Sequence, residues 1–204
     1  MSFKISAFTV TNLADNRFVK PVRLHYIQNG QPRDWEAVQA HDSVAILLYH
    51  RQRQAFLLVK QFRPAVYMNY PQFNHTYELC AGIVDKKLPL EQIAKEEIFE
   101  ECGFDLPLSK IIPISSFFTN VGITGNRQHL FFALLDDAEK VHAGGGIHNE
   151  EIVLEYIPFK DAEHFIYDES HAKTPGLMFA FSWFLHRFGP DGERLDSRTA
   201  QPAP

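Results

Sequence analysis

The sequence predicts an α/β fold in which a mixed β-sheet is sandwiched between helices and preceded by an N-terminal β arm. Two near-continuous apolar runs, at residues 43–49 and 55–60, predict strands that are buried on both faces. Residues 89–102 combine helical spacing with helix-terminal signals. Strand and helix patterns follow each other without a regular βαβ rhythm, which favours a mixed sheet.

The N-terminal region predicts strands that lie outside the core. Residues 3–10 and 20–28 alternate apolar and polar side chains, which is typical of edge strands. Asn29-Gly30 is a strong turn signal, so the second strand is predicted to continue through a hairpin into residues 33–38. Because an unpaired strand edge invites pairing with another chain, we expect an arm of residues 1–40 that supports a homodimer.

The following residues, 41–188, predict the main folded domain. Its further predicted strands are residues 76–80, 111–118, 129–135 and 152–157. Thr174-Pro175 predicts the start of a final helix at residues 176–188, whose apolar residues recur at helical spacing. Residues 189–204 are polar and rich in proline, so this segment is predicted to be a disordered tail.

The helix at residues 89–102 is the most clearly marked element. Pro89 suits the first helical position, and Glu91 places an acidic side chain in the first turn. Gly103 suits the left-handed conformation that ends many helices. These signals at both ends fix the extent of the predicted helix.

Composition excludes several classes of protein. The formal net charge is −5, whereas a nucleic-acid-binding protein requires a basic face. No apolar run is long enough to span a bilayer, and the first residues do not form a signal peptide. The two cysteines, Cys80 and Cys102, form neither a disulfide framework nor a CxxC pair. We therefore expect a cytoplasmic protein with neither nucleic-acid nor membrane partners.

Three glutamates of the predicted helix, Glu97, Glu100 and Glu101, lie at positions i, i+3 and i+4. On a regular α-helix this spacing directs the carboxylates to nearly one face, where like charges repel each other. Mg²⁺ or Mn²⁺ prefers oxygen ligands and would neutralise that repulsion. The alternative is a solvated acidic face, since charge runs are common on exposed helices. The glutamates therefore predict either a metal site or an acidic surface.

The spacing around these glutamates resembles a known motif. Residues 82–104 read GIVDKKLPLEQIAKEEIFEECGF and resemble the Nudix box, G-x5-E-x7-R-E-U-x-E-E-x-G-U, in which U is apolar. Gly82, the three glutamates and Gly103 match without a gap. Leu88 stands where the motif has Glu, and Glu96 stands where it has an Arg that normally helps to hold the glutamates. The resemblance implies a Nudix fold and metal-dependent hydrolysis.

Stretches outside the box extend the resemblance. YELCAGIVD, NVGITGNRQHLFF and FSWFLHRF look like the animal uridine diphosphate glucose pyrophosphatases, and the similarity covers nearly all of residues 20–188. It implies that a UDP-glucose-like nucleotide sugar is hydrolysed to a nucleoside monophosphate and a sugar 1-phosphate. ADP-ribose and GDP-mannose are alternative substrates, although ADP-ribose pyrophosphatases usually carry Ser-Pro-Gly where this chain has Asn120-Val121-Gly122. A Nudix-fold binding module and a structural protein with an acidic helix are the non-catalytic alternatives.

The resemblance also implies roles for particular residues around the metal. The implied metal ligands are Ala81, through its carbonyl, and Glu97, Glu100 and Glu101. Catalytic roles fall to Glu100, Glu101 and Glu150, and Glu151 is the alternative to Glu150. The glycines at 144–146 are expected to form a loop that closes over the substrate. The implied cofactor is Mg²⁺, with Mn²⁺ as the second possibility.

Four further residues are implied to contact the substrate. Arg63 would clamp a phosphate with its planar guanidinium, and Glu78 would lie near the diphosphate. Trp35 would stack on a nucleobase, and Arg127, together with Gln128, would contact the sugar phosphate. Each residue also has a structural alternative. Arg63 could be a surface arginine and Glu78 an ordinary strand carboxylate. Trp35 could pack in the core or in a dimer, and Arg127 could solvate the start of a strand.

Overall fold

The computed structural model describes residues 3–11, 19–147 and 150–189, and these contain nine strands and four α-helices. The strands are β1 (Lys20–Gln28), β2 (Gln31–Gln39), β3 (Ser43–His50), β4 (Ala55–Gln61), β5 (Thr76–Glu78), β6 (Cys80–Ile83), β7 (Ile112–Phe118), β8 (Arg127–Leu135) and β9 (Val153–Pro158). The helices are α1 (Pro64–Asn69), α2 (Leu90–Glu97), α3 (Ala162–Tyr167) and α4 (Pro175–Phe188). None of these helices is both long enough and apolar enough to cross a membrane.

Strand β3 lies at the centre of the seven-stranded main sheet. It pairs in parallel with β8 along its whole length, from Ser43 to His50. Its other edge pairs with β6 over the first half and with β4 over the last three residues, both antiparallel. Strand β4 then diverges and pairs with β5 on that side and with β9 on the other. The sheet therefore splits between β5 and β6, which only Leu79 separates in sequence.

Both faces of the main sheet are covered, which explains the continuous apolar runs. Alternate side chains of β3, such as Val44 and Ala45, belong to two separate core clusters. One cluster includes Ile93 of α2, and the other includes Phe181 and Phe184 of α4. Because strand side chains alternate between faces, a strand between two helices is apolar at every position. The predicted sheet sandwiched between helices is confirmed.

The N-terminal hairpin forms as predicted, with β1 and β2 antiparallel around Asn29-Gly30. Its two faces differ, since residues directly opposite each other share a face. Leu24 lies opposite Trp35 on an apolar face, where both side chains are about half exposed. The other face carries the exposed ion pair Arg23–Glu36 at 2.8 Å and a hydrogen bond between His25 and Asp34 at 2.6 Å.

The predicted strand at residues 3–10 is wrong, because the described segment 3–11 contains no strand. The backbone bends at Ala7, whose φ of 52° is incompatible with an extended strand. The Phe8 ring instead packs edge-on against Tyr67 at 5.0 Å. The alternation of apolar residues therefore reflects packing against the main domain and not sheet pairing. Residues 1–2 and 12–18 of the predicted arm lie outside the described residues.

Two short helices, α1 and α3, were not predicted from the sequence. Each has six residues, which is too few for a helical period to be recognised. Helix α4 begins at Pro175 after Thr174, whose hydroxyl accepts a hydrogen bond from the Leu177 N–H, as the predicted start requires. It ends at Phe188, and residues 190–204 of the predicted tail lie outside the described residues.

Candidate active site

The helix that carries the glutamates changes geometry along its length. It is α-helical from Leu90 to Glu97 and continues as a π-helical turn from Ile98 to Cys102. Gly103 ends it in the left-handed conformation, with φ 72°, as predicted. A π-helical turn holds one more residue per hydrogen-bonded ring than an α-helix. The regular i, i+3, i+4 face predicted for the three glutamates is therefore altered after Glu97.

Glu101 points into the protein and is only 6% exposed. One of its carboxylate oxygens accepts a hydrogen bond from the Ala81 backbone N–H at 3.1 Å. Burial raises the pKa of Glu101 to about 8, a shift that the Ala81 N–H opposes and that Glu97 and Glu150 increase. The structure therefore contradicts a solvated acidic face at this position.

Glu97 lies against the backbone of β6. A Cβ atom on Gly82 would lie 1.9 Å from Oε1 of Glu97, so no other residue fits at Gly82 without moving the glutamate. Burial, followed by the neighbouring Glu100, raises the pKa of Glu97 to about 7. The first glycine of the box is therefore needed for the close approach of Glu97 to the strand.

The glycine triplet brings Glu150 to the same place. The Gly145 N–H donates to the Glu101 carbonyl at 2.8 Å, and the Gly146 N–H donates to the Glu100 carbonyl at 3.3 Å. Directly after the triplet, the Ile147 N–H donates to the Glu150 carboxylate at 3.1 Å. The structure places the triplet against the π-helical turn, where it satisfies carbonyls at the helix end, and the closure of this loop over a substrate stays a prediction.

Arg63 and Glu78 form a bidentate ion pair at the split in the sheet. Nε and Nη2 of Arg63 each donate to a different Glu78 oxygen at 2.7 Å. Thr76 adds a hydrogen bond from Oγ1 to Glu78 at 2.5 Å. The hydrogen bonds that Arg63 donates to Glu78 raise the pKa of Arg63, and the negative charges of Glu101 and Glu150 raise it further. Arg63 is thus held beside the carboxylates by Glu78, a partner that the sequence did not suggest.

Ala81 lies on strand β6, directly before the first glycine of the box. Its N–H points away from β3 towards Glu101, and in an antiparallel strand the N–H and C=O of one residue point to the same side. Its carbonyl therefore also points away from β3, as a metal-ligand role requires. Among the described residues, no group of three or more His, Cys, Asp and Glu side chains is arranged to hold a metal ion.

Glu96, one of the two departures from the box, forms an ion pair of its own. The Lys86 ammonium lies 2.6 Å from Oε2 of Glu96, the residue that replaces the box arginine. This hydrogen bond raises the pKa of Lys86 and lowers that of Glu96. Lys86 also interacts electrostatically with Glu97 and Glu100. A cation thus remains beside the glutamates, on the loop before the helix, and Leu88, the other departure, is 40% exposed.

Trp35 and Arg127 contact residues outside the glutamate cluster. The indole N–H of Trp35 donates to the Gly122 carbonyl at 2.8 Å, which joins the hairpin to the loop between β7 and β8. The Arg127 guanidinium lies over the Phe118 ring at 5.0 Å. Neither contact involves the carboxylate cluster, so substrate binding by these two residues stays a prediction.

The structure also adds residues that sequence analysis missed. Thr76 binds Glu78 from outside the box, and Lys86 binds Glu96 from a box position that accepts any residue. The supporting role of the glycine triplet was missed for a different reason. Its hydrogen bonds join segments about 44 residues apart, as in the pair Gly145–Glu101, and no local pattern encodes such a contact.

Comparison with known proteins identifies the class to which this fold and cluster belong. The NUDIX domain model matches residues 39–175, so the chain belongs to the Nudix family, as the box predicted. A uridine diphosphate glucose pyrophosphatase of Bos taurus is 35% identical, over 92% of this chain and 97% of the relative. The Mus musculus protein of the same name is 34% identical over the same shares. A GDP-mannose pyrophosphatase of Enterobacter sp. is 32% identical over 79% of this chain and 85% of the relative.

Proposed function

We propose that this protein hydrolyses the diphosphate bond of a nucleoside diphosphate sugar, giving a nucleoside monophosphate and a sugar 1-phosphate. The single observation that carries the proposal is the convergence of Glu97, Glu101 and Glu150 beside Arg63, in a Nudix chain. Similarity to two uridine diphosphate glucose pyrophosphatases over almost their whole length supports a UDP-sugar as substrate.

The donor atoms of the cluster fit a hard divalent cation. Glu97 and Glu101 are carboxylates whose ionised forms are disfavoured by burial and by mutual repulsion, which a cation would relieve. With Glu100 and the Ala81 carbonyl they would form an oxygen-only set of ligands, which suits Mg²⁺ or Mn²⁺. Lewis-acid stabilisation of the diphosphate oxygens would come from this cation, and we infer that it is Mg²⁺.

The residues of the chain supply orientation, positive charge and proton transfer. Arg63 is fixed by Glu78 through Nε and Nη2, so Nη1 is the part of the guanidinium not used in this pair. It is thus oriented to stabilise charge on a phosphate during cleavage. A carboxylate, Glu150 or a glutamate of the box, accepts the proton of the attacking water. Water attack on phosphorus breaks the bridging P–O bond, and each product keeps one phosphate.

A substrate panel tests the proposal directly. UDP-glucose, GDP-mannose, ADP-glucose and ADP-ribose are incubated with the full chain and Mg²⁺, and the products are identified by mass. We expect UDP-glucose to give UMP and glucose 1-phosphate with the highest kcat/KM. GDP-mannose is the second candidate, because GDP-mannose pyrophosphatases are also similar to this chain. Absence of turnover for every nucleotide sugar would leave a Nudix-fold binding module as the better interpretation.

We also propose that the protein is cytoplasmic and forms a homodimer. The apolar hairpin face, including Leu24 and Trp35, is about half exposed in one chain, which supports burial against a second copy. The two free cysteines, Cys80 and Cys102, are consistent with a reducing compartment. The net charge of −5 is consistent with the absence of nucleic-acid partners.

A further inference from the structure

A cavity of about 390 Å³ opens between the N-terminal segment and the loop that carries Glu150. Phe3 and Lys4 line one part of it, and Gly145, Glu150 and Ile152 line another. The volume falls within the range of small-molecule sites, roughly 300–1,000 Å³. The Gly145 N–H donates to the Glu101 carbonyl, and the Glu150 carboxylate interacts electrostatically with Glu97 and Glu101, so the cavity adjoins the candidate active site.

The N-terminal wall of this cavity is anchored to the main domain. The Asn74 amide donates from Nδ2 to the Phe3 carbonyl at 3.0 Å, and the Phe3 ring lies 6.5 Å from the ring of His75. Further along the segment, Phe8 packs against Tyr67. A segment fixed at both places forms a wall of defined shape, which a loose chain terminus would not provide.

Among the described residues that line the cavity, Lys4 is the one cation, and Glu150 and Glu151 are the acidic residues. Within the part of the chain that the structure describes, the Lys4 ammonium makes no hydrogen bond or ion pair. By contrast, Lys60 and Lys86 are each paired with a glutamate. An anionic ligand would give this ammonium a partner for a charge-assisted hydrogen bond.

We propose that this cavity receives part of the nucleotide sugar and that Lys4 binds an anionic oxygen of its diphosphate. This inference rests on the proposed function and adds a binding residue from outside the Nudix domain match, which begins at residue 39. The charge of Arg63 is partly neutralised by its ion pair with Glu78. Lys4 would therefore supply positive charge to the diphosphate that Arg63 alone does not. Apolar atoms of Phe3 and Ile152 in the same cavity offer a surface for a sugar or base ring.

The test compares Lys4→Gln with a matched loss of charge elsewhere. Lys160→Gln removes one positive charge from an exposed turn that does not line the cavity. Steady-state kinetics with the nucleotide sugar that the wild-type protein hydrolyses best give KM and kcat separately. We expect Lys4→Gln to raise KM about tenfold, which is the loss of one charge-assisted hydrogen bond, while kcat changes less than about twofold. Lys4→Arg restores most of the affinity, and Lys160→Gln changes both constants less than about twofold.

The outcomes separate this inference from the proposed function. An unchanged KM in Lys4→Gln, or an equal rise in Lys160→Gln, would overturn the role of Lys4 while nucleotide-sugar hydrolysis still stands. A wild-type protein that hydrolyses no nucleotide sugar would overturn both. Circular dichroism of Lys4→Gln checks that the fold is retained, which we expect because the side chain is exposed.

Discussion

Burial distinguishes Glu101 from the other acidic residues of its helix. Its carboxylate is held by the Ala81 N–H, whereas Glu91, near the start of α2, lies outside the cluster. Glu101→Gln keeps the size of the side chain but removes the charge of the proposed metal ligand. Because metal-centred stabilisation of a transition state is worth several kcal/mol, we expect kcat to fall at least about 100-fold. Steady-state assays at saturating Mg²⁺ measure this effect.

Glu91→Gln is the control for this substitution, since it makes the same chemical change on the same helix outside the cluster. Its turnover is expected to match the wild type. Near-normal turnover of Glu101→Gln would mean that the buried glutamate has a structural role only.

The buried carboxylates also predict a dependence of stability on pH. Burial raises the pKa of Glu101 from its ordinary value of 4.5 to about 8. Between these two values the folded protein binds more protons than the unfolded chain, so the free energy of unfolding falls as pH rises. We expect the metal-free protein to melt at a lower temperature at pH 8 than at pH 5.5, because stability falls with rising pH throughout this window. Added Mg²⁺ should raise the melting temperature mainly at the higher pH.

Glu101→Gln again provides the comparison, because glutamine does not titrate. Its melting temperature in a chelator should depend less on pH than that of the wild type. An identical dependence in both proteins would show that other groups cause it.

The bidentate ion pair of Arg63 with Glu78 predicts that replacing the guanidinium by an ammonium lowers activity. Arg63→Lys keeps the charge but cannot make two parallel hydrogen bonds to one carboxylate. We expect kcat/KM for the nucleotide sugar to fall about tenfold, since one charge-assisted bond contributes roughly 1.5–3 kcal/mol. Arg23→Lys, in the exposed pair with Glu36, serves as the control and should be neutral. Normal kinetics with a lowered melting temperature would assign Arg63 to structure alone.

At the scale of elements, the glycine triplet links the loop before β9 to the end of the helix that carries the glutamates. Gly144 has φ +78°, and a Cβ atom there would lie 2.4 Å from the Glu101 carbonyl oxygen. We therefore expect Gly144→Ala to displace the Glu101 turn, to lower stability by roughly 1–3 kcal/mol and to lower turnover as well. Thermal unfolding and kinetics measure the two effects.

Gly122→Ala is the matched control for this change. A Cβ atom on Gly122 would meet no atom within 4 Å, and its φ is not in the left-handed region. This variant should keep normal activity and stability. If Gly144→Ala were equally harmless, the close contact between the triplet and the turn would not hold the site together.

At the scale of the whole molecule, the hairpin presents an apolar face that is about half exposed in one chain. Its apolar face includes Leu24, and its opposite face carries the pair Arg23–Glu36. Leu24→Glu introduces a charge into the apolar face, so we expect it to convert a dimer into a monomer. Arg23→Gln, on the other face, should leave the dimer intact. Multi-angle light scattering at micromolar concentration distinguishes these states, and a monomeric wild type would contradict the predicted dimer.

The sequence by itself determined the central strands, the hairpin and the two long helices. Each of these has a local signal: the apolar runs of β3 and β4, the turn at Asn29-Gly30, and the terminal residues of the helices. The box spacing also determined the family, because three glutamates and two glycines at fixed separations rarely occur together by chance.

Only the tertiary structure decided the geometry of the site. The pairing of Arg63 with Glu78, the burial of Glu101 and the contact of the glycine triplet with the helix end join segments distant in sequence. The apolar alternation of residues 3–10 was locally compatible with a strand, but ring packing against Tyr67 prevailed. Such contacts depend on which surfaces the fold brings together, and the physical reason they escape prediction is that local patterns encode backbone conformation but not long-range partners.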